Sequence, residues 1–132
     1  MTVSHRVKLI GAVLPVLLLA GCGGGAPEPD ASRAIAAKFL EEIRGGKAGD
    51  AWQSTTAEFK SARGKEAFVR EVRADKSLKT EQTFVSQQSV KVQEEDRPEL
   101  LFRTSDGKEI RIVLGQEGGA WKVDRWSHAG AK

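Results

Sequence analysis

Glu99-Leu100-Leu101-Phe102-Arg103-Thr104-Ser105-Asp106-Gly107-Lys108-Glu109-Ile110-Arg111-Ile112 is the stretch whose reading decides the fold. Apolar and polar residues largely alternate on either side of Ser105-Asp106-Gly107, the period of two of strands with one buried face. A two-residue turn at Asp106-Gly107 would set Phe102 against Arg111 and mix polar with apolar on one face. A three-residue loop with Gly107 left-handed sets Phe102 against Ile110 and Leu100 against Ile112. The second arrangement keeps one face apolar, and its other face pairs Arg103 with Glu109.

Working outward, the same period predicts strands over Thr83–Gln93, Glu99–Thr104, Lys108–Gly115 and Ala120–Ser127. Turn chemistry at Glu95-Asp96-Arg97-Pro98, Ser105-Asp106-Gly107 and Glu117-Gly118-Gly119 separates them. Continuing the register sets Leu114 against Trp121, Ile112 against Val123, and Val90 and Val92 against Phe102 and Leu100. It also sets Arg111 against Asp124 on a solvated outer face, and turns Trp126 to that face near Glu109, opposite to Trp121.

Upstream of Thr83 the period is helical. Ala36, Phe39, Leu40 and Ile43 share one face of a helix expected over Ala31–Arg44, ended by Gly45-Gly46. Asp50, with Gln53 three residues on, is read as the N-cap of a short helix carrying Trp52. Thr55 and Glu58 are read as capping a further turn that holds Phe59 and closes at Gly64. A third helix, Lys65 to Ala74, carries the stripe Phe68, Val69 and Val72. The expected fold class is α+β, with N-terminal helices packed on a curved four-stranded antiparallel sheet as a single domain over 31–132.

Cys22 is the only cysteine, so this domain must stand on its apolar core without a disulfide. Without Arg6 and Lys8 the 21 basic side chains fall to 19 against 18 acidic ones, a net of +1. A balance so near neutral gives no electrostatic argument for nucleic acid. Locally the charge is uneven. Lys60, Arg63, Lys65, Arg70, Arg73, Lys76 and Lys79 outnumber Glu66, Glu71 and Asp75, whereas Glu94, Glu95, Asp96 and Glu99 form an acidic turn. The basic run is read either as a solvated face or as a contact for anionic lipid headgroups.

The N-terminus reads as an export signal. His5, Arg6 and Lys8 precede an apolar run from Leu9 to Ala20, too short to span a bilayer. Leu19-Ala20-Gly21-Cys22 then resembles the lipobox of bacterial lipoproteins. That resemblance implies a signal over 1–21, cleavage before Cys22, diacylglycerol on its sulfur and acylation of the new amino group. Residues 22–30, with Gly23-Gly24-Gly25-Ala26-Pro27-Glu28-Pro29, would form a tether holding the domain close to the membrane. The expected location is the cell envelope, on the outer membrane facing the periplasm in a two-membraned host, because position 23 is Gly rather than the Asp linked with inner-membrane retention.

Helices followed by a four-stranded meander ending in Trp121-Lys122-Val123 resemble the small exported lipoproteins of the nuclear-transport-factor-2-like, cystatin-like superfamily. The residues that carry the likeness are Ala36 to Ile43, Gly49-Asp50-Ala51-Trp52 leading to Phe59, Phe68 to Val72, and that end strand. The resemblance implies a cone whose mouth holds a small ligand or a protein partner, and an outer sheet face on which two copies can pair. Two sets of residues follow: a small apolar pocket lined by Trp52, Phe59, Phe68, Phe102 and Trp121, or a partner face carrying Arg103, Arg111, Lys122 and Trp126.

Catalytic readings find little support in composition. The superfamily's isomerase- and cyclase-like enzymes resemble one another in using Asp, His or Tyr inside the cone. This chain has no Tyr, and His128 is its only His beyond the signal. Asp50, Glu58 and Glu81 suit caps and surfaces better than a general base. One His without a free Cys supplies no zinc set, so no metal and no cofactor is expected. Gly45-Gly46-Lys47-Ala48-Gly49-Asp50 lacks the phosphate-loop order and follows a helix rather than a strand. Gln88-Ser89-Val90-Lys91-Val92 approaches the Q-x-V-x-G loop of cystatin inhibitors, with Val92 where Gly belongs and a mid-strand position expected.

Overall fold

The computed structural model describes residues 29–129. Four α-helices come first, α1 Pro29–Arg44, α2 Ala48–Gln53, α3 Ala57–Ala62 and α4 Lys65–Ala74, and then a 3₁₀ turn, Lys76–Lys79. The strands β1 Gln82–Val92, β2 Glu95–Thr104, β3 Glu109–Glu117 and β4 Ala120–His128 form one open antiparallel sheet in the order β1-β2-β3-β4. The α+β class is as expected, with the helices packed on one face of a curved sheet.

α1 starts two residues ahead of Ala31, on Pro29, whose fixed φ suits a first helical position. It buries the expected face of Ala36, Phe39, Leu40 and Ile43, and Gly46 leaves the helix at a φ of +81°. α2 begins at Ala48, so Asp50 lies inside it and caps nothing. Burial of Ala48 and Ala51 on one helical face decides that start. α3 is capped by Thr56 rather than Thr55, through an Oγ1 that accepts from the Phe59 N–H at 3.2 Å. Thr55 is extended instead, bridged in parallel to Val123. α4 has the expected bounds, and the unforeseen 3₁₀ turn seats Leu78 fully in the core.

The β2–β3 hairpin has the expected register, with Phe102 against Ile110, Leu100 against Ile112 and Arg103 against Glu109. Its three-residue loop closes through the Thr104 N–H to Lys108 C=O bond of 2.8 Å, and Gly107 has a φ of +85°. Elsewhere two bulges shift the faces. One falls between Phe84 and Ser86 in β1, where Phe84 meets Phe102; Val90 and Val92 meet Arg97 and Glu95 because the hairpin closes at Gln93-Glu94. The second is an extra residue, Asp124, in β4. The two-residue Gly118-Gly119 turn sets Leu114 against Val123 and Trp121 against Gln116, and beyond the extra residue Ile112 meets Trp126 and Arg111 meets Ser127. The extra residue brings Trp126 to the core face, 6 % exposed, correcting its expected outward position.

The β1–β2 turn is also tighter than expected. Gln93 and Glu94 carry it with φ of 51° and 67°, and β2 starts at Glu95 rather than Glu99. Pro98 stands just ahead of the β2–β3 ladder, which begins at Glu99, a place that tolerates its missing N–H.

Candidate functional site

The five aromatic residues expected around a pocket do not enclose one. Phe59 and Phe68 join Phe39 in a cluster with ring centroids 5.4 to 6.3 Å apart, and Phe68 is 0 % exposed. Phe102 stacks edge-on against Phe84 at 5.7 Å. Trp52 lies half-buried at the α2 end, its indole N–H donating to the Arg63 carbonyl at 2.7 Å. Trp121, also half-buried, lines a separate cleft with Glu95, Asp96, Arg97 and Gln116. The space between helices and sheet is thus filled by side chains.

Three of the four residues read as a partner face, Arg103, Arg111 and Lys122, do stand on the outer sheet face. Each is ion-paired there, to Glu109 at 3.1 Å, Glu99 at 3.4 Å and Glu117 at 3.2 Å respectively. Asp124 does not meet Arg111 in solvent; it is 5 % exposed and sits at the centre of a buried polar node. Arg97 Nη1 donates to its Oδ2 at 2.7 Å, and Thr56 Oγ1 donates to its Oδ1 at 2.7 Å. The node exists because Gly115 leaves room for it: a Cβ there would lie 3.0 Å from the Asp124 Cβ. It ties β2, the bulge in β4 and the N-terminus of α3 into one unit. Sequence reading missed it because the bulge that turns Asp124 toward Arg97 has no local signal.

A groove of about 460 Å³ runs between α3 and the free edge of β4, lined by Glu58, Phe59, Ala62, Arg63, Arg125 and Trp126 among others. The Thr56 N–H already donates to Val123 C=O at 3.0 Å, so chain 55–56 covers the first part of that edge. Further along, Ala129 N–H donates to Glu109 C=O at 2.9 Å, which marks an inward-bonded pair. Alternation then directs the Arg125 and Ser127 backbone toward β3, and the Trp126 and His128 backbone toward the open edge. Arg63 lies over the Trp126 ring at 5.4 Å, and the buried Trp126 indole N–H has no partner among the described residues.

His128 is held by the fold rather than frayed from it. Its Nε2 lies 2.5 Å from Asp75 Oδ2, its ring packs edge-on against Trp126, and its Nδ1 is buried. Asp75 also caps the 3₁₀ turn by accepting from the Ser77 N–H at 3.1 Å. Elsewhere in the domain two carboxyls lie below their usual range. Asp106 is lowered by hydrogen bonds from the Thr104 and Ser77 hydroxyls, and Glu117 by the Ala57 N–H and then by Lys122. Among the described residues no three His, Cys, Asp or Glu side chains group as a metal site, and no helix is long and apolar enough to cross a membrane.

Gln88-Ser89-Val90-Lys91-Val92 runs along β1 into the Gln93-Glu94 turn, so it approaches a hairpin tip rather than mid-strand. Leu19, Ala20, Gly21 and Cys22 lie outside the described residues. No family model matches the chain, and no curated protein matches it in sequence.

Proposed function

We propose that the chain is a lipid-anchored, non-catalytic binding domain of the bacterial cell envelope that takes a protein segment at the α3–β4 groove. The supporting observation is a filled interior beside a groove whose wall is an open strand edge. An extended segment entering it would gain backbone hydrogen bonds from Trp126 and His128 and cover the apolar floor of Phe59 and Trp126. Glu58, Arg63 and Arg125 at the rim would fix its direction. The helices-then-meander order supports kinship with the cystatin-like cone, and the Leu19-Ala20-Gly21-Cys22 order supports attachment through diacylglyceryl-Cys22.

Photo-crosslinking in cells tests the groove, with benzoylphenylalanine placed at exposed Ala62 and, as control, at Gln88 on the outer face. A protein adduct of defined mass at 62 and none at 88 is the expected result. Equal labelling at both, or none at 62, overturns the groove as the partner site. A small molecule retained in native mass spectrometry would favour an apolar ligand there instead. The anchor is tested separately. Protein extracted from membranes should begin at a diacylglyceryl-modified Cys22, and Cys22→Ser should leave the membrane fraction; an unmodified Cys22 overturns it.

A further inference from the structure

Charge is distributed over the domain in a way that gives it two unlike ends. Every lysine and arginine within the four strands is close to a carboxylate: Lys91, Arg97, Arg103, Arg111, Lys122 and Arg125 all lie within 4.0 Å of one. The helical layer differs. Among the described residues no carboxylate lies at ion-pairing distance from Lys65, Arg70, Arg73, Lys76 or Lys79, all exposed on α4 and the 3₁₀ turn. Lys108 joins them, because Ser77 Oγ donates to Asp106 Oδ2 at 2.9 Å and draws the β2–β3 loop against the 3₁₀ turn. Glu66, Glu81 and Asp106 only partly offset these charges.

The later part of the basic region, Arg73, Lys76 and Lys79 with Lys108, lies at the end where the chain enters the fold, while Lys65 starts α4 beside Gly49 of α2. Arg33, one turn into α1, places its guanidinium 3.9 Å from the centre of the Phe84 ring at the start of β1. The 3₁₀ turn ends at Lys79, three residues before β1 begins, and α1 packs against it. The acidic tip Glu94-Glu95-Asp96 is at the far end of β1, roughly 33 Å away at about 3.3 Å per residue.

We infer that the α4–3₁₀ face docks on the anionic phospholipid headgroups of the membrane that carries the anchor, holding the acidic tip away from the bilayer. The inference rests on attachment through Cys22. Only six residues separate Cys22 from Pro29, a reach of at most about 25 Å when fully extended. The tether therefore keeps the basic end near the headgroups, where each well-placed Lys or Arg adds about five-fold to binding. A face too weak to recruit a free protein suffices for one already confined to the surface. The same posture turns the β1–β2 tip outward.

The test uses the full lipidated chain in vesicles, of phosphatidylcholine alone or with one-third phosphatidylglycerol. Cys22 being thioether-linked, a single introduced cysteine takes a donor dye, at exposed Ala74 in α4 or at Glu94 in the tip, with acceptors on the headgroups. Expected on anionic vesicles is energy transfer at 74 at least about two-fold that at 94, the difference vanishing at about 1 M salt, where the screening length is about 3 Å. It should also vanish in Arg73→Glu/Lys76→Glu/Lys79→Glu and on phosphatidylcholine alone. Retention on vesicles with equal transfer at both positions, or a difference indifferent to salt and lipid charge, overturns the inference alone. Failure to stay with vesicles, with an unmodified Cys22 by mass, overturns the anchor and the inference together.

Discussion

Asp124 concentrates more of the architecture than any other polar residue described. Its carboxylate holds a guanidinium and a hydroxyl that belong to β2 and to the cap of α3, and none of the three groups is free to find water. Asp124→Ala would leave buried Arg97 with only the exposed carboxylate of Glu95, at 3.3 Å, as a partner, at a cost of up to about 3–5 kcal/mol. Chemical denaturation should show that loss. Thr56→Val, which removes both the hydroxyl donor and the helix cap, should cost about 1–2 kcal/mol by the same measurement. Gly115 is the silent partner of the node. Gly115→Ala drives a Cβ to 3.0 Å from Asp124, and should cost about 1–3 kcal/mol although it adds one methyl group in a strand. An unchanged midpoint in Gly115→Ala would show that β4 can give way at its bulge.

The elements explain both what could be read in advance and what could not. Helical stripes in α1 and α4 and the β2–β3 hairpin were legible, because each is fixed by local periodicity and one turn. Ser105-Asp106-Gly107 fixes its hairpin by loop length alone. Nothing local announces the bulges at Val85 and Asp124, which are set by how the sheet curves against the helices, and each one moves every later residue to the other face. The groove was illegible for the same reason, since Trp126 reaches it only through the second bulge. The link from Glu117 to α3 is an element-scale device with a pH signature. Its Oε2 accepts from the Ala57 N–H at 2.6 Å, at a helix N-terminus that favours a negative charge. Because the folded carboxyl is lowered, its contribution is present above the unfolded value of about 4.3 and is lost as pH falls through the folded value. Asp106 acts in the same direction at the β2–β3 loop. Melts followed down to about pH 2.5 should therefore fall less steeply below about pH 4 in Glu117→Gln and Asp106→Asn than in the native chain. Parallel acid limbs would remove both carboxyls from the account.

At the scale of the whole molecule, one core joins α1, α3 and α4 to all of β2, β3 and β4, with no covalent staple. Unfolding should be a single transition by fluorescence and by circular dichroism, with a midpoint indifferent to reductant. Two separated transitions would divide the helical layer from the sheet. The sheet is assembled from sequence neighbours throughout, and the backbone bridge between the helical layer and the sheet runs to its last strand, through Thr55, Thr56 and Val123. That gives synthesis a direction. Hairpins close quickly on short loops, whereas the helices, made first, wait for β4 before their aromatic faces are covered. A chain halted before Ala120 would carry an open β3 edge and uncovered phenylalanines, the features that proteases and chaperones recognise. Completion of the C-terminal strand is therefore what separates a finished molecule from one marked for removal.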